Sequence, residues 1–450
     1  IDWSYNLLDE AERTLFRQMA IFPGSFTLDA LIQVAGSASN GALPAIPTLL
    51  DLLTQLVDKS LVIVESAAGH RRYRLLETLR EYALEQLTMT AELAVLQQRH
   101  AAFFLGMAAQ AAPELMGPQQ LAWLMRLETE HANLRGALDH LITIADSERA
   151  LRLATAIARF WEVRGYVSEG REWLHKALAQ RRTAAIDTQA KALNAAGYLA
   201  LRQSDFDQAR LLVAKSLSLF EQCEEEIGFT EALQNLAAAN INQGEYPIAQ
   251  QRLEYSLQLC RSLKYDYGTA RALNLLGNLA VDQDRYTAAR DYYQASLHHY
   301  QASGDQVSIA TGFFNMGNTA RELGDIIAAH TNYEACLAIS RALGHKGLTG
   351  VALRNLGIVA YDQAAYVQAR GYAEEALPIL RELGDKVNSG FALLVLGDVA
   401  RKLGESSVAL AYYCQNLQIL HAVGHKWGLF YTLVDPSVNK VPYFYHAVHE

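Results

Sequence analysis

Asparagine is a poor helix former because its amide competes with the backbone, yet Asn235, Asn315 and Asn355 recur at one place inside stretches patterned as helices. One residue earlier stand Asn194, Gln234, Asn274 and Arg354, and three residues later stand Tyr198, Asn278, Asn318 and Asp398. A carboxamide offers both donor and acceptor, so a row of them can pair with the backbone of an extended peptide whatever its side chains. The rival reading is structural, each amide bonding to the next repeat or facing water, and spacing alone favours neither. Lys191, Arg202, Arg271, Arg321, Arg354 and Arg401 share these stretches, interspersed with Glu231, Asp282, Glu322 and Asp362. The face is therefore amide-rich rather than of one charge.

No other pattern promises chemistry. The chain has no GxxxxGK[ST] phosphate loop, no HExxH and no GxSxG, so neither catalytic nor metal-ligating residues are expected, and no cofactor within these residues. Cys223, Cys260, Cys336 and Cys414 lie far apart on helical patterns, which reads as small buried hydrophobes in a reducing compartment. A net charge of −9 argues against broad nucleic-acid binding. The apolar stretch from Leu93 to Ala112 is broken by Gln97, Gln98, Arg99 and His100, short of the ~18 apolar residues of a membrane span. The expectation is a cytoplasmic chain without membrane contact, and the opening Ile1-Asp2-Trp3 reads as a fragment of something longer.

The elements that must position the amides repeat every forty residues. Gly197, Ala237, Gly277, Gly317, Gly357 and Gly397 share one register, as do Ala209, Ala249, Ala289, Ala329, Ala369 and Ala409. Within each unit the apolar residues follow helical spacing twice, and Gly304, Gly344, Gly384 and Gly424 stand where a second helix should end in a left-handed cap. Each unit is a helix pair, A then B, and such pairs bury their faces only by stacking into a solenoid. Counting the small residue as place eight of helix A, the amides occupy places five, six and nine. A mid-helix Gly costs ~1 kcal/mol relative to Ala, so Gly357 is expected to give close packing where helix A meets helix B.

Before the repeats, one helix, a Pro-Gly break, a second helix near Thr27 and a third from Pro47 to Ser60 lead into a β-hairpin (Leu61–Glu65 with Arg72–Leu75) and a helix from Glu77 to Leu87. That order is a winged helix. Its third helix offers only Gln55 and Lys59 against Asp51 and Asp58, a weak equipment for reading bases. The wing carries Arg71, Arg72 and Arg74 beside His70, suited to DNA phosphate or to an acidic neighbouring domain.

The small residue at place eight, the Ala twelve residues on and turns such as "ELGDIIA" resemble the tetratricopeptide repeat (TPR), here longer than its usual 34 residues and similar to the kinesin-light-chain and bacterial signal-ATPase varieties. Similar asparagine ladders occur in kinesin-light-chain and peptide-pheromone-sensing TPR proteins. The stretches "IDWSYNLLDEAERTLF", "LVDKSLV", "YRLLETLREYALEQL", "ETEHANLRGAL" and "FWEVRGYVSEGREWL" resemble the bacterial STAND signal-transduction ATPases, which join an NB-ARC-type nucleotide domain, a winged helix and a TPR sensor and include relatives of LuxR-type regulators. The resemblance implies an ATPase domain upstream, with ATP or ADP bound there, and coupling to it through the winged helix. Where related ATPases carry a Met-His-Asp nucleotide sensor, the matching residues are Leu75, Leu76 and Glu77, so the sensing His is replaced.

The expected fold is mostly α: an N-terminal winged helix of three helices plus a β-hairpin, followed by an α-α superhelical TPR solenoid. The expected divisions are a winged helix (1–88), a helical linker (89–150), a degenerate TPR-like unit (151–189), six 40-residue units (190–429) and an irregular tail or truncated cap (430–450). The expected function is a non-enzymatic sensor region of a signalling ATPase, its TPR groove holding a peptide or protein. A DNA-binding regulator acting through the winged helix and a free-standing TPR scaffold are the alternatives.

Overall fold

A computed structural model describes residues 2–36, 46–67 and 70–423. The expected tail and the cap at Gly424 lie outside the described residues. The fold is mostly helical, an N-terminal winged helix followed by stacked helix pairs. The chain forms two compact units, residues 1–162 with 167–235, and residues 163–166 with 236–450.

In the first unit, Glu10–Met19 begins at Asp9, whose carboxylate accepts from the Glu12 amide while Glu12 reaches back to the Asp9 amide. This reciprocal cap satisfies two donors that a helix end leaves open. Thr27 caps Leu28–Ala35, and Ile46–Asp58 follows as the third helix. The wing is an antiparallel hairpin of Ile63–Ala67 with His70–Arg74, in which Ile63 faces Arg74, close to the expected hairpin and shifted by about two residues. Glu77–Thr88 closes the domain. Helices Leu93–Glu114, Gln120–Thr129 and His131–Thr143 come next. The ring of His100 is buried with those of Phe22 and Phe104, the position of a core histidine.

Each repeat unit is a pair of helices, as the spacing predicts. Ile186–Arg202 pairs with Phe206–Cys223 in the first unit; in the second, Asp266–Val281 pairs with Tyr286–Ser303, Gln306–Glu322 with Ile326–Leu343, Lys346–Asp362 with Tyr366–Glu382, and Lys386–Lys402 with Ser406–Ala422. From Ala310 to Val399 the buried side chains form one continuous cluster, the stacking that such repeats need. Every A-to-B turn passes through a left-handed residue: Ser204, Gly244, Asp284, Gly324, Ala364 and Gly404 all have φ between 56° and 80°. The B-to-A turns do the same at Gly304, Gly344 and Gly384, as expected, and also at Glu224 and Lys264.

The small residue at place eight has a more specific cause than close helix packing. A Cβ on Gly277 would lie 2.4 Å from the Tyr293 ring, one on Gly317 2.6 Å from Tyr333, and one on Gly397 2.5 Å from Tyr413. In each case an aromatic ring sixteen residues downstream, on helix B, lies against the bare backbone of helix A. At Gly357 the downstream residue is Ala373, and a Cβ would meet its nearest neighbour at 3.4 Å, an ordinary contact. The expectation that Gly357 is required for close packing is thereby corrected: the requirement belongs to the three units that carry Tyr and to that of Gly197, where a Cβ would lie 2.4 Å from the Val213 side chain. Gly317→Ala is expected to destabilise the second unit by roughly 1–3 kcal/mol through overpacking. Gly357→Ala is expected to be neutral or to add up to about 1 kcal/mol of helix propensity; urea unfolding midpoints of the two variants distinguish them.

Candidate binding face and the winged-helix joint

The tyrosines that fill the glycine gaps explain place nine. The hydroxyl of Tyr293 donates to Asn278 Oδ1 at 2.8 Å, that of Tyr333 to Asn318 Oδ1 at 2.7 Å, and that of Tyr413 to Asp398 Oδ1 at 2.7 Å. A buried phenol needs a partner, and burial pushes all three hydroxyls above their ordinary pKa, Tyr333 to about 12. The unit of Gly357 lacks the Tyr and carries Ile358 at place nine. Acceptor and ring therefore come and go together, whereas glycine also stands at 197 and 357, where the residue sixteen places on is Val213 or Ala373.

Places five and six form a second set of bonds between neighbouring A helices. In the first unit Asn235 Nδ2 donates to Asn194 Oδ1 at 2.7 Å. In the second unit Asn315 Nδ2 donates to Asn274 Oδ1 at 3.0 Å. Phe314 occupies the next place five, and Asn355 Nδ2 turns instead to Asn318 Oδ1 at 2.8 Å. Asn194, Asn235 and Asn355 are buried, Gln234 is fully so, and Asn274, Asn278, Asn315 and Asn318 are half-buried. Tyr198 accepts from Arg159, which with Arg202 surrounds the buried Glu162.

These bonds use one end of each amide. Asn318 Oδ1 accepts twice, and no described residue bonds its Nδ2; the Oδ1 atoms of Asn315 and Asn355 likewise have no described donor. The A-helix face of the second unit thus carries amides oriented by their neighbours, each with a hydrogen-bonding edge to offer. Arg354, at the same place as Asn274, lies over the Phe391 ring with its guanidinium carbon 5.7 Å from the centroid.

The winged helix uses its charges differently from what composition suggests. Arg72 is buried and forms an ion pair with Glu130 at 2.6 Å, while its Nε and Nη2 donate to Ser25 Oγ and the Ser25 carbonyl at 2.8 and 2.7 Å. Arg74 pairs with Glu65 across the hairpin, and Lys59 with the buried Glu12. Of the three wing arginines only Arg71 is exposed without such a partner.

Glu130 and Asn133 belong to "ETEHANLRGAL", and that stretch acts as a joint. Asn133 Nδ2 bonds both Glu130 and the Ser25 carbonyl, and its Oδ1 accepts from the Gly24 amide at 3.1 Å. Gly136 lies against Pro23, where a Cβ would come within 2.7 Å of the ring. On the other side of the helix His131 and Arg135 both reach Glu169. Burial would raise the Glu169 carboxyl, but the hydrogen bonds from Arg135 and His131 hold it at about 2. Sequence reading missed Glu130 and Glu169 as partners because the side chains that bond them lie 58 and 34–38 residues away in the chain.

Among the described residues no group of three or more His, Cys, Asp or Glu side chains is placed to hold a metal ion, and no helix is long and apolar enough to cross a membrane. Cys260 and Cys336 are buried, Cys223 and Cys414 half-buried.

Removal of one partner from a buried ion pair leaves the other charge uncompensated. Arg72→Ala is accordingly expected to destabilise the first unit by about 3–5 kcal/mol, measured by urea unfolding, whereas Arg71→Ala should leave it unchanged within about 0.5 kcal/mol.

Family models match this arrangement in two places. Residues 8–88 match a winged helix-turn-helix domain, and residues 229–302 and 308–382 match the tetratricopeptide repeat. A Mycobacterium bovis protein named as an HTH-type transcriptional regulator is 39% identical over 183 residues, 40% of this chain and 20% of its own length; a protein of the same description from Mycobacterium tuberculosis matches equally. The chain thus spans about a fifth of the length of these curated relatives. The fold is similar to that of a STAND protein with a tetratricopeptide repeat sensor from Pyrococcus horikoshii, with a TM-score of 0.59 at 16% identity, over 99% of this chain and 65% of that one. It is also similar to a Rap protein complexed with Competence and Sporulation Factor (TM-score 0.50, 13% identity, 74% of this chain and 95% of that one). The chain carries a winged helix-turn-helix domain over residues 8–88 and tetratricopeptide repeats over residues 229–302 and 308–382.

Proposed function

We propose that these residues are the sensor region of a STAND-type signalling regulator, and that the A-helix face of the second unit binds an extended peptide or protein segment. The observation that carries this reading is the set of half-engaged amides. Asn315, Asn318 and Asn355 are each held by a bond to a neighbouring element, and each keeps an unmatched donor or acceptor. A pre-oriented amide loses little freedom on binding, which favours affinity. Its donor–acceptor edge suits a peptide backbone. The fold shared with a Rap protein solved with Competence and Sporulation Factor supports the same reading.

In this reading the winged helix transmits the bound state to a nucleotide-binding domain that holds ATP or ADP. The joint of Arg72, Glu130 and Asn133 makes it a firm part of the first unit rather than a free DNA reader. Duplex DNA binding is the second reading, favoured by the helix-turn-helix match and the exposed Arg71.

The test is retention of synthetic random heptapeptides by the immobilised chain. The proposal expects retained peptides to lose at least roughly tenfold in affinity with Asn315→Ala and Asn355→Ala combined, about 1.4 kcal/mol, in a variant whose circular dichroism is unchanged. Undiminished retention by the folded variant, or binding confined to duplex DNA and lost with Arg71→Ala, contradicts it.

A further inference from the structure

The two large apolar side chains most exposed among the described residues are Val367, at 81%, and Ile327, at 78%. Both are the second residue of a B helix, in neighbouring units. The other units carry Asp207, Pro247, Thr287 and Ser407 at that place. Four residues earlier, across the left-handed turn, stand Leu323 and Leu403, each 42% exposed. The remaining units have Gln203, Gln243, Gln283 and Gln363 there. With the exposed Val408, these side chains run along the A-to-B turns of three successive units of the second body. Single exposed apolar residues are ordinary, but a run of them rimmed by polar groups marks an interaction surface.

The run has the symmetry of a surface that matches itself. Leu323 and Leu403 lie one unit to either side of Gln363 and Val367, so the apolar ends exchange places when the strip is turned end for end. The charges reverse in the same operation. Glu322, Asp362 and Lys402 share one place, and the outer two are opposite in sign. Glu322 is exposed and bonds Arg321 beside it. Lys402 is exposed and has no ion pair among the described residues. Asp362, between them, has the charge of Arg321 nearby.

We propose that this edge is a two-fold interface with a second copy of the chain, the axis passing through the unit of Val367. A two-fold contact is isologous: if one residue meets another, the second meets the first on the other side. Leu323 of one copy then meets Leu403 of the other, Glu322 meets Lys402, and the two Val367 side chains meet at the axis. Each cross-copy match occurs twice, apolar against apolar and acid against base. None of these side chains bonds the asparagines of the A-helix face, so the proposal does not depend on the peptide-binding reading.

Sedimentation velocity of the full chain over a concentration series tests it, with circular dichroism checking that each variant is folded. A monomer–dimer equilibrium is expected. Val367→Glu enters the interface twice and should weaken the dimer at least roughly hundredfold. Lys402→Glu alone and Glu322→Lys alone each set like charges together twice, and each should favour the monomer. Mixing these two variants restores both opposite-charge matches in a heterodimer, so the dimer should return in the mixture. A chain that stays monomeric throughout the series overturns the proposal and leaves the edge to a different protein. A dimer unaffected by Val367→Glu places the contact elsewhere and overturns it too. Failure of the mixed charge variants to dimerise, when each alone is monomeric, overturns the two-fold register.

Discussion

The packing of an aromatic ring from each B helix onto a side-chain-free patch of its A helix organises the repeats that carry it. Tyr293, Tyr333 and Tyr413 are large and fully or nearly buried, and each can approach its A helix only because Gly277, Gly317 or Gly397 presents bare backbone. The approach brings a phenol hydroxyl into the helix interface, where an unsatisfied polar group would cost roughly 1–3 kcal/mol. Asn278, Asn318 and Asp398, the residues immediately after those glycines, accept it. Steric room and hydrogen-bond demand are thus met by adjacent residues, and the place-nine side chains are fixed before any ligand is considered.

The amide edges that remain follow from this constraint. Because Asn318 is held by Tyr333, its carbonyl oxygen is also available to Asn355 of the next A helix. Asn274 and Asn315 bond one another in the same unit. Internal bonding and ligand contact are therefore compatible roles for one carboxamide, since four hydrogen-bonding positions exist and the interior uses only some of them. Arg354 departs from the amide pattern at place five, in the same unit whose Tyr and acceptor are replaced by Ala373 and Ile358.

Much of this was legible in the residues. The forty-residue period, the helix pairs and the winged helix follow from apolar spacing and turn residues, and the helices begin and end close to where those signals place them. Gly317 with Asn318 and a Tyr fifteen residues after that Asn was also open to inspection, but a search by column of small residues treats Gly357 as equivalent, and only its missing ring shows otherwise. The pairing of Asn235 with Asn194, or of Arg72 with Glu130, was not legible. Periodicity states which face a residue occupies, and it says nothing of which residue 41 or 58 positions away comes within hydrogen-bond distance. For the same reason the wing arginines looked like one basic patch, although burial separates Arg72 from Arg71.

The account stands most directly on the bond between Tyr333 and Asn318. A double-mutant cycle of Tyr333→Phe and Asn318→Ala, followed by urea unfolding of the full chain, isolates it. A coupling of about 1 kcal/mol is predicted, the usual net value of a hydrogen bond, with the variants retaining native helix content. Strictly additive effects would contradict it, placing the asparagine at that position for a reason unconnected with the ring.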